Sequence, residues 1–511
     1  MTTLRQRLVA LLTAATTALA LTACSGGSHS SSGSIDVLSW WTSASESSAL
    51  DTLIDQHKQR NPEASVDEIA VVGGGGSQAH VTLATRIARG DAPDVWQSLV
   101  GGNITAWHNA GAVGDVSSLF TDDVKAQLPE DVLSSVTVDG KQYAAPLSVH
   151  RANVLMYNRD VLQRAGVAEP GEGYTLTQFL ADLDTLKAKG TTPMCIGAAD
   201  SITTAGLFES VLLATVGQEG WEKIEADRFD WNGQEVKDAL GTFGQLIDHS
   251  DYADQTDKPR TWDEASGRLA AGDCGFYQMN DSALGESLTV GDSMADSATS
   301  TAASTATGTA AGTAGATGTA SATGGATGGS TAGATAASTG ETADASPVSS
   351  AVFPGTEGSF LMVADAFVAS SSTDNREGAD AFLTSALDPG VQTAFCKVKG
   401  CVPTRNDADV SSLSSYQQQA AGDLRSQKVL SSISYGEVIS PAMQDGFFQA
   451  VKSYISTRDA SSFGRVLTER VNEGAGGRGD DDGPARSDAD GARRPLRSVR
   501  AAPRRPGGRE R

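Results

Sequence analysis

Strand-like and helical runs alternate from residue 35 onward, and this alternation restricts the fold more than any other feature of the chain. Val37 to Trp41 reads as a strand, Ser47 to Arg60 as a helix, Val66 to Val72 as a strand, Gln78 to Arg89 as a helix and Val95 to Leu99 as a strand. Strands separated by helices pair in parallel, so the sequence predicts an α/β fold with a mostly parallel sheet covered by helices. The pattern runs to residue 286 and then stops. Residues 287–351 are almost entirely Ala, Thr, Gly and Ser without an aromatic side chain. Such a segment buries too little apolar surface to offset its ordering entropy, and a disordered insertion is expected. A globular pattern resumes at Val352 and continues to about residue 473, and 474–511 forms an Arg/Pro/Gly tail with no hydrophobic period.

The first residues indicate a compartment. Arg5 and Arg7 precede a short apolar run from Leu8 to Leu21, the layout of a signal peptide over 1–23 rather than a spanning helix. Leu21-Thr22-Ala23-Cys24 resembles a bacterial lipobox. Acylation of Cys24 would fix the protein to the outer face of the membrane, with the Ser/Gly-rich residues 24–34 as a flexible tether. In that oxidising compartment Cys195, Cys274, Cys396 and Cys401 are disulfide candidates. Three pairings are open to four cysteines. The short Cys396–Cys401 loop closes easily, which makes Cys195–Cys274 the preferred second bridge.

Charge and motifs exclude several function classes. With 39 Lys+Arg against 62 Asp+Glu, the net charge of -23 repels nucleic acid phosphates. There is no CxxC pair, HExxH or GxSxG motif, so neither a metal site nor a nucleophile elbow is expected. Gly73–Gly76 follows a strand but lacks the Lys-Ser/Thr of a phosphate loop, and reads as a turn that lets a ligand or backbone approach. No cofactor and no catalytic residue is predicted. Trp40-Trp41, at the tip of the first strand, is the conspicuous binding candidate. Alternate strand residues face opposite sides, so one indole should be left outside the core as a flat platform, the kind of surface on which the CH face of a sugar stacks.

The order of segments is itself informative. VLSWWTSASE, VVGGGG, DAPDVWQ, YAAPLSVHRANVLMYN, TPMCIG, GDCGFYQMND, FPGTEGSFLMVADAF and KGCVPTR follow one another between residues 37 and 405. Together they resemble the ABC-transporter sugar-binding proteins, family 1 extracellular solute-binding proteins, most closely the glucose/mannose branch. The resemblance covers nearly all of 35–471 and implies a two-lobe periplasmic-binding-protein-like fold (type II) with the ligand in the cleft. Lobe one would hold 35–147 and 364–402, and lobe two 148–286, 352–363 and 403–473, with crossings near Pro146, Val363 and Val402. It nominates Trp40, Trp41, Glu46, Gln97, His150, Asp281, Asp365, Lys399 and Tyr435 as sugar-binding residues. It also implies a monomer that delivers a small sugar to an ABC permease in the membrane.

The chain departs from the family pattern in lobe two. Serine follows Asp281 where relatives often carry tryptophan, residues 198–202 (AADSI) lack an aromatic, and Tyr435 stands in place of a histidine. Lobe two is therefore expected to offer no indole opposite Trp40-Trp41. Two other classes fit the composition: an exported carbohydrate-processing enzyme, and a non-transport surface lipoprotein in which the insertion is the working part.

Overall fold

The computed structural model describes residues 34–72, 77–287 and 346–476. The signal segment, Cys24, the tether, Gly73–Gly76, nearly all of the low-complexity insertion and the tail beyond 476 lie outside the described residues.

The predicted opening alternation is present. Strands β1 (Ile35–Ser39), β2 (Val66–Ala70) and β3 (Val95–Leu99) are separated by helices α1 (Ala44–Arg60) and α2 (Ser77–Ala88), and β1 pairs in parallel with both of the other strands. Helix α1 buries Ala49, Leu50, Leu53, Ile54 and His57 at helical spacing, and packs against the helices 376–386 and 389–399. β1 ends at Ser39, so Trp40 and Trp41 fall just beyond it and not within it.

After α3 (Gly102–Asn109) and a small hairpin of β4 (Thr137–Val138) and β5 (Lys141–Gln142), the chain enters β6 (Ala145–Arg151). A second sheet is built from β7 (Val154–Asn158), β8 (Thr192–Cys195), β9 (Cys274–Met279) and β10 (Val348–Val352), in the order β10-β7-β9-β8. Helices α4 (Ser201–Glu225) and α5 (Trp262–Ala270) lie between β8 and β9. The chain then runs through β11 (Ser359–Ala369), α6 (Pro389–Lys399), β12 (Val402–Pro403), α7 (Ser415–Ser426) and β13 (Lys428–Ser431). The larger sheet has the order β12-β6-β11-β3-β1-β2, with β13 added beside β11.

The sheets are mixed, which corrects the expectation of mostly parallel pairing. β11 is antiparallel to both β3 and β6, and β7 is antiparallel to both of its neighbours. Alternation with helices dictates direction only for strands joined by a crossover. β6 and β11 instead carry the chain between the two sheets, and their direction follows from where they come from. β11 is buried along all eleven residues: its first half pairs with β13 and its second half with β3.

Both expected disulfides form. Cys195–Cys274 ties β8 to β9, and Cys396–Cys401 closes the turn after α6.

Candidate functional site

A cavity opens where the ends of β1, β6 and β9 meet the middle of β11, enclosing about 400 Å³ of empty space including solvent at its mouth. Seven of the nine nominated residues line it: Trp40, Trp41, Glu46, His150, Asp365, Lys399 and Tyr435.

The tryptophan pair is held by hydrogen bonds made at the end of β1. Ser39 Oγ donates to Gln97 Oε1 (2.7 Å), Trp40 N donates to the same oxygen (3.2 Å), and Trp41 N donates to Ser39 Oγ (3.1 Å). Neither indole is an exposed platform, which corrects the sequence expectation: Trp40 is 6% and Trp41 1% exposed. Trp41 packs against Phe367 and Phe395 at ring-centroid distances of 5.7 and 5.0 Å, while Trp40 meets His80 edge-on. The pair leaves the strand at a turn, so strand alternation does not govern where the rings go, and both join the core while lining the cavity. Gln97 is not among the lining residues. Its amide is spent on Ser39, Trp40 and Asp365, and it acts as a positioning residue.

Asp365 is aimed by a bulge. Pro146 has no N–H to donate, and the β6–β11 register shifts between Asp365, opposite Ser148, and Ala366, opposite Pro146. Asp365 then accepts from Ser148 Oγ (3.1 Å) and Gln97 Nε2 (3.3 Å). His150 stands between two carboxylates. Its Nδ1 meets Asp281 Oδ1 at 2.5 Å, and its Nε2 lies 3.2 Å from Asp365 Oδ2 without an aligned hydrogen bond. Burial alone would lower the imidazole pKa, but the Asp281 and Asp365 carboxylates outweigh it and raise the value. Burial likewise pushes Asp365 up, and is outweighed by His150 and then Lys399, which hold it low. Asp281 is fully buried behind His150, where it also accepts from Arg151 N (3.0 Å) and Tyr416 Oη (2.9 Å). It does not line the cavity, and its place is in support of His150.

Lys399, at the last turn of α6, reaches Glu46 Oε1 (3.0 Å) and Ser282 Oγ (3.5 Å), with its ammonium 5.3 Å above the Trp41 ring. On the opposite wall Asn280 Nδ2 donates to Tyr435 Oη at 2.7 Å.

That wall also carries an indole, contrary to the sequence expectation. Trp262 lines the cavity from the first position of α5. Its backbone N–H donates to Asp200 Oδ2 at 3.0 Å, and Gly197 lets the backbone approach, since a Cβ there would lie 2.9 Å from Trp262 Cα. Residues 197–200, which contain no aromatic, therefore buttress one supplied from elsewhere. The capping box of Thr261 with Glu264 marks the helix start in the sequence. Read alone, that signal would put Trp262 at a helix tip, but only the tertiary fold brings the tip to the cavity.

Tyr435 is positioned by a buried carboxylate. Glu209 of α4 accepts from Ser432 Oγ (2.9 Å), Ile433 N (2.5 Å) and Ser434 N (3.3 Å). Burial pushes its pKa up to about 7 despite these donors. A carboxyl raised in the folded state binds protons that the unfolded chain has released. Its contribution to stability is thus full below the unfolded pKa of 4.5 and is lost as pH rises through about 7. Thermal melts should show a loss of stability from pH 5 to 8, at most about 3 kcal/mol from this group, and Glu209→Gln should flatten it. An unchanged slope in the variant would assign the loss to another group.

Comparison with known proteins decides the family. A family model described as "Bacterial extracellular solute-binding protein" matches residues 53–421. The chain belongs to this family. A probable sugar-binding periplasmic protein of Brucella suis is 25% identical over 438 residues, covering 83% of this chain and 90% of the relative. An ABC transporter extracellular-binding protein of Pyrococcus horikoshii is 23% identical, covering 88% and 91%. The crystal structure of the bacterial solute receptor AcbH, described as exclusive for β-D-galactopyranose, superposes with a TM-score of 0.66 at 14% identity, covering 87% of this chain and 99% of that one. At that identity the likeness speaks for the two-lobe fold.

Proposed function

We propose that this solute-binding protein captures a neutral sugar, a glucose- or mannose-like monosaccharide or a short oligosaccharide, and presents it to the membrane permease of an ABC importer. The observation that carries the reading is the cavity wall. Trp40 and Trp41 on one side and Trp262 on the other enclose a space edged by Glu46, His150, Asp365 and Lys399. Indole faces suit the CH face of a pyranose, and carboxylate, imidazole and ammonium groups suit its hydroxyls. His150 Nε2 is buried without an aligned partner, a donor left for a ligand oxygen. Both cations are already opposed by carboxylates, which disfavours an acidic ligand. The names of the Brucella and AcbH proteins point the same way.

In this reading lobe one comprises 35–147 and 364–402, and lobe two 148–286, 352–363 and 403–473. The mature chain is a monomer, lipid-anchored at Cys24 on the outer face of the membrane. The mechanism is binding without chemistry: the sugar favours the closed form over the open one and so shifts the population toward closure.

A thermal-shift screen of the mature protein against monosaccharides and short oligosaccharides tests the proposal. A sugar at about 100 times its Kd should stabilise by roughly 2.7 kcal/mol. Turnover of an oligosaccharide, or no shift with any sugar, would contradict it. Trp262→Ala should weaken binding of the best sugar by roughly tenfold or more, since stacking alone contributes about 0.5–1.5 kcal/mol beyond the area buried.

A further inference from the structure

The segment 282–287 is helical and follows β9, and it is bolted to lobe two. Ser266 Oγ of α5 donates to Ala283 O at 2.7 Å and meets Ser287 Oγ at 2.7 Å. The same segment faces two helix ends of lobe one. At the first, the N-cap residue of α1, Ser43, makes no side-chain cap bond, and its buried hydroxyl has no partner. Glu286 supplies a cap from across the interface instead: Ser45 N and Ser45 Oγ both donate to Glu286 Oε2, at 3.1 and 2.7 Å. A carboxylate at this position also opposes the positive end of the α1 dipole. At the second, α6 ends at Gly400 in the left-handed region (φ +89°). A Cβ on Gly285 would lie 2.4 Å from Lys399 O, and a Cβ on Gly400 would lie 3.0 Å from Gly285 N. Only a glycine pair permits this approach of backbones.

We infer that Gly285, Glu286 and Gly400 form a lobe-closing seam: positioning residues that set ligand affinity without touching the ligand. Each seam residue is coupled to the cavity by chain proximity. Ser45 precedes Glu46, Gly400 follows Lys399, and Gly285 lies less than one helical turn from Ser282. Closing the seam brings Ser282 of lobe two within 3.5 Å of Lys399, whose ammonium is paired with Glu46 at 3.0 Å within lobe one. Because the apparent affinity of a protein that binds when closed scales with its closed fraction, contacts made only on closure act on affinity as directly as contacts to the sugar. The inference rests on the sugar-capture reading for its ligand, and on the geometry alone for the seam.

Two arms keep these separable. In the first, the mature wild type, Gly285→Val and Glu286→Ala are titrated with an equimolar mixture of D-glucose, D-mannose, D-galactose and D-xylose while X-ray scattering follows the radius of gyration. The seam predicts that Gly285→Val weakens the response at least tenfold and stays extended in the presence of the mixture, while its ligand-free melting temperature matches the wild type. A response within twofold of wild type, or a ligand-free melting temperature that falls along with affinity, would overturn it, the latter because the contact would then belong to folding and not to closure. In the second arm, ligand-free Ser45→Cys/Glu286→Cys protein is treated with a short bis-methanethiosulfonate reagent. A cross-linked species more compact than the untreated protein supports the seam, and failure to cross-link or an unchanged radius overturns it. A wild type that ignores the sugar mixture while the second arm succeeds would reject the sugar reading and leave the seam standing.

Discussion

Asp365→Ala should abolish high-affinity sugar binding, with a loss of about 100-fold or more. Two effects add. The carboxylate is the acceptor that the β6–β11 bulge aims at the cavity, and a charged hydrogen bond to a ligand hydroxyl contributes about 1.5–3 kcal/mol. Its removal also deprives His150 of one of its two flanking carboxylates and frees the Gln97 amide that holds the Trp40-Trp41 turn. Calorimetry with the best sugar from the screen reads the loss. Breaking a buried charge pair also lowers stability, by about 3–5 kcal/mol in comparable cases, so the melting temperature of the variant must be measured alongside. A folded Asp365→Ala protein that binds within tenfold of wild type would move the site elsewhere.

The second large effect concerns stability. Replacing Cys195 and Cys274 together with serine should cost about 4 kcal/mol in a denaturant titration, whereas the same change at Cys396 and Cys401 should cost about 2 kcal/mol. The difference follows from the separations of 79 and 5 residues that the two bridges close, since a longer loop has more entropy to lose in the unfolded chain. Equal costs, or a larger one at the short loop, would mean that native packing around the bridges and not chain entropy dominates. Cys396–Cys401 also spans the turn that carries Lys399 and Gly400, so its loss should reduce sugar affinity more than the loss of the longer bridge does.

Much of this architecture was legible from residue order. The β1–α1–β2–α2–β3 alternation, both cysteine pairs and the convergence of seven nominated side chains on one cavity follow patterns visible in the chain. What escaped the sequence has physical reasons. Strand direction in the mixed sheets depends on connections through the other lobe, which local periodicity does not encode. The indoles of Trp40 and Trp41 sit beyond the last residue of β1, so alternation gave the wrong exposure. Gln97 and Asp281 are polar groups of the right chemistry, but their donors and acceptors are used up by Ser39, Trp40, His150 and Tyr416. Trp262 was hidden for the opposite reason. Its segment looks like an ordinary helix start, and only the packing of α5 against residues 197–200 turns it to the cavity.

These corrections alter the picture of recognition. A ligand held by one aromatic wall would depend on Trp40-Trp41 alone, whereas a ligand between two walls shares its stacking across the lobes and links recognition to closure. In the proposed recognition His150 belongs to the polar half: the Asp281 and Asp365 carboxylates raise its pKa against burial, and its Nε2 is buried without an aligned hydrogen bond.

The most direct test of this account is a crystal structure of the mature protein with the tightest-binding sugar from the screen. The account predicts a pyranose ring between Trp262 and the Trp40-Trp41 pair, with its hydroxyls on Glu46, His150, Asp365 and Lys399 and the lobes closed around it. A sugar bound away from these residues, or a cavity left empty at saturating sugar, would contradict it.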